Sequence, residues 1–124
     1  MFRRDIMQYW LIFWGETLGE ALFSFVNINL VNQIQAKTTP AALKVVYTSA
    51  FFALSLFLNI SFGREFSGGV FNPAVVFFRL FRRTDRYTIS IGLLYIGSQF
   101  LGATVGMIVA FYICDLAASP LAVK

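Results

Sequence analysis

The sequence predicts an all-α integral membrane protein with three spanning helices and one short half helix that enters the membrane and turns back. Three observations predict it. The chain of 124 residues is 58% hydrophobic and 13% charged, about half the charged share of soluble domains, and its mean hydropathy is +0.71. Long apolar runs alternate with short charged or Gly- and Pro-containing turns. Between two of those runs lies Ser67-Gly68-Gly69-Val70-Phe71-Asn72-Pro73-Ala74-Val75, apolar yet too short and glycine-rich to span. One membrane domain, residues 1–124, accounts for the chain.

The first span is expected over roughly residues 9–30, with Tyr9, Trp10 and Trp14 as an interfacial belt. A cleavable signal is not expected there, because the run is too long and Glu16 and Glu20 interrupt it. Those two carboxylates are one turn apart on one face and are costly at membrane depth, so they should turn toward protein. Bonding to the backbone of the short loop is the structural role; a proton or ion path is the functional alternative. Asn27, Asn29, Asn32 and Gln33 mark the far interface, and residues 35–40 a loop. A second span is expected over roughly residues 42–62, with Lys44 snorkelling near its start.

Gly63, Arg64 and Glu65 open the short loop. Gly68 and Gly69 allow a tight turn. Asn72 suits a helix cap and Pro73 the first helical position. The re-entrant segment occupies roughly residues 64–81. Its half helix, about two turns from Ala74 to Phe81 or roughly 12 Å, is far short of a bilayer. Such backbone is tolerated at depth only where protein or a water-filled cavity covers it. Arg79 is expected to snorkel. Arg82, Arg83, Asp85 and Arg86 form a charged turn, and a last span covers roughly residues 89–113, with Pro120 in the tail. Ser98, Gly102, Gly106 and Ala110 recur every fourth residue and should let another helix approach closely; Gly15 and Gly19 are expected to do the same on the first helix.

Here the residues carry a resemblance. SGGVFNPAV resembles the first asparagine-proline-alanine loop of the aquaporin family, the major intrinsic proteins. Downstream, YIGSQFLGATVG from Tyr95 to Gly106 is similar to the family's third helix; upstream, GETLGEALFSF from Gly15 to Phe25 resembles its first. The three matches stand in the family's order and cover the first half of its fold, implying a half-aquaporin fold with Asn72, Pro73 and Ala74 as the motif. The resemblance implies that Glu16, Ser67, Gly68 and Gln99 brace the loop. It aligns Phe52 with the aromatic that the family contributes to its narrow filter, the alternative being one ordinary Phe among 15. The chain departs from the family at Glu20, where a small residue is usual, at Glu65 and Val70, where His is frequent, at Val76, where Thr is usual, and at Arg79.

The function classes narrow accordingly. The +4 net charge would suggest nucleic acid in a soluble protein, but the cations sit at the ends of apolar runs. No His is present, Cys114 is the only Cys, and no nucleophile–base pair, metal cluster or phosphate loop appears. Neither an enzyme, nor a metal site, nor a cofactor is expected. Of 10 Lys and Arg, one side of the predicted topology holds Arg3, Arg4, Arg64, Arg79, Arg82, Arg83 and Arg86, the other Lys37, Lys44 and Lys124. The positive-inside rule then puts the N-terminus inside and the C-terminus outside. The mitochondrial inner membrane or another energy-transducing membrane is a compatible host, though no residue selects one. The family's pore needs two inverted halves, and no second Asn-Pro-Ala occurs here. The expected function is a structural or accessory subunit of a larger membrane complex, non-conducting alone; the alternative is half of a split channel for water or small neutral solutes. Expected partners are the bilayer, other membrane subunits and a second half-aquaporin chain.

Overall fold

The computed structural model describes residues 2–38, 40–82 and 88–118. The charged turn at Arg83, Asp85 and Arg86 and the tail with Pro120 lie outside them. Four helices account for nearly all described residues: α1 (Phe2–Ala36), α2 (Ala41–Gly63), α3 (Pro73–Phe81) and α4 (Ile89–Ala118). Among the described residues two helices are long and apolar enough to cross a membrane, α2 and the part of α4 from Ile89 to Cys114.

The helix α1 runs well past the expected residues 9–30. Its 35 residues measure roughly 52 Å at 1.5 Å per residue. The polar positions that suggested a far interface stay helical because their side chains bond locally or across to a neighbour. Asn27 and Asn29 donate to the carbonyls of Phe23 and Phe25, each at 2.8 Å. Asn27 also donates to Ser55 Oγ of α2 at 3.0 Å, and Asn32 reaches Cys114 Sγ of α4 at 3.3 Å.

The layout is a row with α1 and α4 at its centre. These two make the largest interface, α2 rests on α1, and α3 rests on α4. The α1–α4 seam is close because of small residues. A Cβ on Gly102 would strike the carbonyl oxygen of Thr17, and one on Gly106 that of Ala21. Thr17 Oγ1 adds a hydrogen bond to the Ser98 carbonyl at 3.3 Å. Ser98 and Ala110, on the same stripe, are buried. Backbone proximity of this kind gives dispersion contacts that side chains of ordinary size would prevent.

Gly15 and Gly19 receive the loop before α3, and Gly19 receives α2 as well: a Cβ on Gly15 would lie 2.9 Å from Ser67 Cβ, and one on Gly19 would collide with the Phe71 ring and come within 3.1 Å of Asn59 Oδ1 of α2. The physical reason is that the loop must dive beside α1, and only a helix face without side chains leaves it room.

Most of the remaining surface of the described helices is apolar. Of α2 only Gly63 is buried, and large side chains such as Phe57, Phe62, Leu93, Phe100 and Phe111 are more than 60% exposed. Exposure on that scale requires lipid or protein against it.

Replacing Gly102 with Leu is expected to force α1 and α4 apart, costing at least the roughly 1–3 kcal/mol of an overpacked core. Thermal unfolding in detergent checks it; an unchanged midpoint would show that the seam tolerates the side chain.

Candidate functional site

The site is built around the loop from Arg64 to Asn72 and the start of α3. The loop begins as α2 ends, with Ser67 N–H donating to the Gly63 carbonyl at 3.0 Å. Gly68 and Gly69 then take φ values of +88° and +61°, which glycine adopts without the Cβ clash. Gly69 is held for a second reason: a Cβ there would come within 2.8 Å of the Ile60 carbonyl oxygen. Phe71 has φ +40°, a conformation that costs a bulky residue on the order of 1–3 kcal/mol.

Two features hold Phe71 there. Its N–H donates to Glu16 Oε2 at 2.9 Å. Its ring fills a slot between Gly19 of α1 and Gly63 of α2, and a Cβ on either glycine would overlap it. Asn59 of α2 donates to the Gly19 carbonyl at 3.1 Å beside the slot. Ring, slot and Asn59 together fix α2 to α1 at the level of the loop.

Glu16 is fully buried and collects four donors. Its Oε1 accepts from Ser67 Oγ at 2.5 Å and from Val70 N–H at 3.2 Å. Its Oε2 accepts from Phe71 N–H at 2.9 Å and from Gln99 Nε2 at 2.6 Å. One carboxylate thereby ties α1, the loop and α4. Bonds to an ionised acceptor are about twice as strong as neutral ones, and four of them offset the cost of burying the charge. Tyr95 of α4 donates its hydroxyl to the Ser67 carbonyl, and Gly69 N–H donates to Ser67 Oγ at 3.3 Å.

At the end of the loop, Asn72 has extended backbone and its Oδ1 accepts from Ala74 N–H at 2.9 Å, with Pro73 opening α3. The Asn72 side chain and Ala74 are exposed. Beyond Asn72 the helix packs inward through Val76, fully buried with Ile12, Val70 and Tyr95. The position where the resemblance expected Thr therefore faces the apolar core.

The remaining singled-out residues are dispersed. Phe52 lies on α2, 48% exposed, its ring edge-on to Phe23 at 5.1 Å. Glu20 is buried at the α1–α4 seam, and a Cβ on Gly102 would sit 2.9 Å from its Cβ; among the described residues it has no hydrogen-bond partner. Gln99 Oε1 is also buried without a partner. Among the described residues no group of His, Cys, Asp and Glu could hold a metal ion.

Sequence reasoning missed Phe71 and its slot. A signal existed: Gly19 and Gly63 are small residues facing a Phe that sits next to a helix cap, but their pairing spans 52 and 8 residues of chain respectively and has no local pattern.

The family is shown by sequence comparison, and the buried carboxylate holding a glycine-rich loop before a capped short helix is in keeping with it. The family model described as Major intrinsic protein matches residues 5–122, and the chain belongs to that family. It is 34% identical over 97 residues to Aquaporin-1 of Rhizophagus irregularis, an alignment covering 74% of this chain and 33% of that protein. The chain therefore spans about a third of the length of that curated relative. No solved structure matches it.

Replacing Glu16 with Leu removes the acceptor of two buried backbone amides, each expected to cost about 1–3 kcal/mol. Unfolding curves of parent and variant in one detergent check it; a Glu16→Leu chain as stable as the parent would show that the clamp is dispensable.

Proposed function

We propose that these residues form one half of an aquaporin-like unit, with α1, α2 and α4 spanning the bilayer, the loop and α3 re-entering it, the N-terminus inside and the C-terminus outside. The unit is non-conducting alone and serves as a structural or accessory part of a larger membrane assembly. A neighbouring membrane segment of that assembly covers its open face.

One observation carries this reading. Asn72 and the start of α3 are exposed, while the loop's flank opens onto a groove of about 480 Å³ lined by Trp10, Trp14, Leu18, Gly19, Phe62 and Phe71, among others. Donors at a helix start inside a membrane need partners, because each unmet group costs several kcal/mol. The aromatic, apolar lining suits packing against protein better than passage of a polar solute. In the family the opposing half helix brings a second asparagine, and the two positive helix ends help exclude cations. No second Asn-Pro-Ala stands in these 124 residues.

A second reading, half of a split channel for water or small neutral solutes, is favoured by the loop itself. The Glu16 clamp and the Asn72 cap leave the half helix in working order, and the Val76 departure faces the core. Phe52 would then serve as this half's filter aromatic, and a separate chain or segment would bring the rest.

Liposomes containing only this purified chain are expected to swell in stopped flow no faster than empty ones. Water permeability well above that of empty liposomes, with the low activation energy of a pore, would overturn the non-conducting reading.

A further inference from the structure

We propose that the end of α3 forms a binding surface for acidic phospholipid headgroups, centred on Arg82, with Arg64 at the end of α2 as a second, separate contact. Arg82 caps α3, and its side chain is exposed. Its guanidinium lies 5.7 Å from the centroid of the Phe78 ring. Phe78 is 59% exposed and Phe81 is 83% exposed. An exposed ring of that size needs hydrocarbon, and a guanidinium needs a polar phase. Held this close, the two mark the plane where acyl chains give way to headgroups. Cation–π contact at such a boundary fixes the direction of the charge without consuming its hydrogen-bond donors.

The end of α2 also carries an exposed arginine close in sequence to exposed rings. Arg64 is its exposed cap, between Phe62 at 73% and Phe66 at 61% exposure. The loop dips and α3 returns, so both helix ends lie at one interface in the re-entrant reading. Glu65, also exposed, offsets part of the Arg64 charge, which leaves Arg82 as the stronger contributor. An arginine beside exposed rings fits a phosphodiester: the planar fork takes two phosphate oxygens at once, and the rings take the upper acyl chain. The opposite end of α2 lacks this device, because Lys44 Nζ is committed to the Gln35 carbonyl at 2.9 Å.

The inference rests on the bilayer placement above, and the two can fail separately. A chain that does not reconstitute into phosphatidylcholine discs at all sinks the placement; one that reconstitutes without headgroup preference sinks only this inference. Native mass spectrometry of the full chain in micelles carrying equal phosphatidylglycerol and phosphatidylcholine is expected to show phosphatidylglycerol adducts in excess. Arg82→Gln should reduce that excess about five-fold, the effect of one basic residue near an anionic surface, and Arg64→Gln somewhat less. Lys44→Gln should leave it unchanged. Arg82→Lys, which keeps the charge and spares the fold, should retain more of it than Arg82→Gln. Equal occupancy by both lipids in the parent chain, an excess untouched by the arginine variants, an equal loss with Lys44→Gln, complete displacement by millimolar inorganic phosphate, or an acidic polypeptide displacing the lipid from these arginines would each overturn the proposal.

Discussion

The carboxylate of Glu16 is the constraint on which the rest depends. A loop of irregular backbone lies against apolar helices, and its amides have no secondary-structure partners. Val70 and Phe71 donate to Glu16 instead. The same carboxylate takes the Gln99 amide from α4 and the Ser67 hydroxyl from the loop, so three segments far apart in sequence share one acceptor. A neutral side chain could not do this, since only a carboxylate offers two oxygens with room for four donors and the charge to strengthen each bond. The charge is tolerable only because all four donors converge.

That clamp also explains the conformation of Phe71. A left-handed Phe is unfavourable by itself, yet here its N–H points at Glu16 while its ring enters the Gly19–Gly63 slot. The ring then performs a second task. Among the helices, α2 touches α1 alone in the described residues, with little of its surface buried. The slot adds a contact through the loop, and Asn59 adds a hydrogen bond beside it. The loop is therefore the wedge that positions α2, as well as a segment that α1 supports.

Much of this was legible in the sequence. The apolar runs announced α2 and α4, because continuous hydropathy over a bilayer's length has few other readings. Asn72-Pro73 announced the start of α3 through capping chemistry that is local. Ser98, Gly102 and Gly106 announced a close seam, because small residues at every fourth position share one helix face. Glu16, Ser67 and Gln99 were singled out together through a resemblance, since three residues separated by 51 and 32 positions offer no spacing rule. What stayed illegible is long-range or shape-dependent. The partner of Gly15 and Gly19 could be any approaching backbone, and a loop was not distinguishable from a helix. The full length of α1 was not legible because Asn27 and Asn29 read as interface, while their side chains bond to carbonyls one turn back and keep the helix going.

The departures from the family's usual residues now acquire physical meaning, and it differs from one to the next. Val76 sits in the core with Ile12, Val70 and Tyr95, so Val for Thr exchanges a hydroxyl for a methyl in an apolar environment, where the methyl is the easier group to bury. Glu20 stands in the α1–α4 seam, where close backbone approach leaves little room, and among the described residues it has no hydrogen-bond partner. A buried group of that kind weakens an isolated half unless something outside supplies a partner. The open face beside the loop is where an outside element would lie, and its lining of Trp10, Trp14, Leu18 and Phe62 favours apolar contact. The two departures thus point in opposite directions: one tightens the half as a self-contained fold, while the other leaves it with a polar group unmet. A half built this way holds its own loop in shape through Glu16 and still depends on its surroundings to complete its polar bonding.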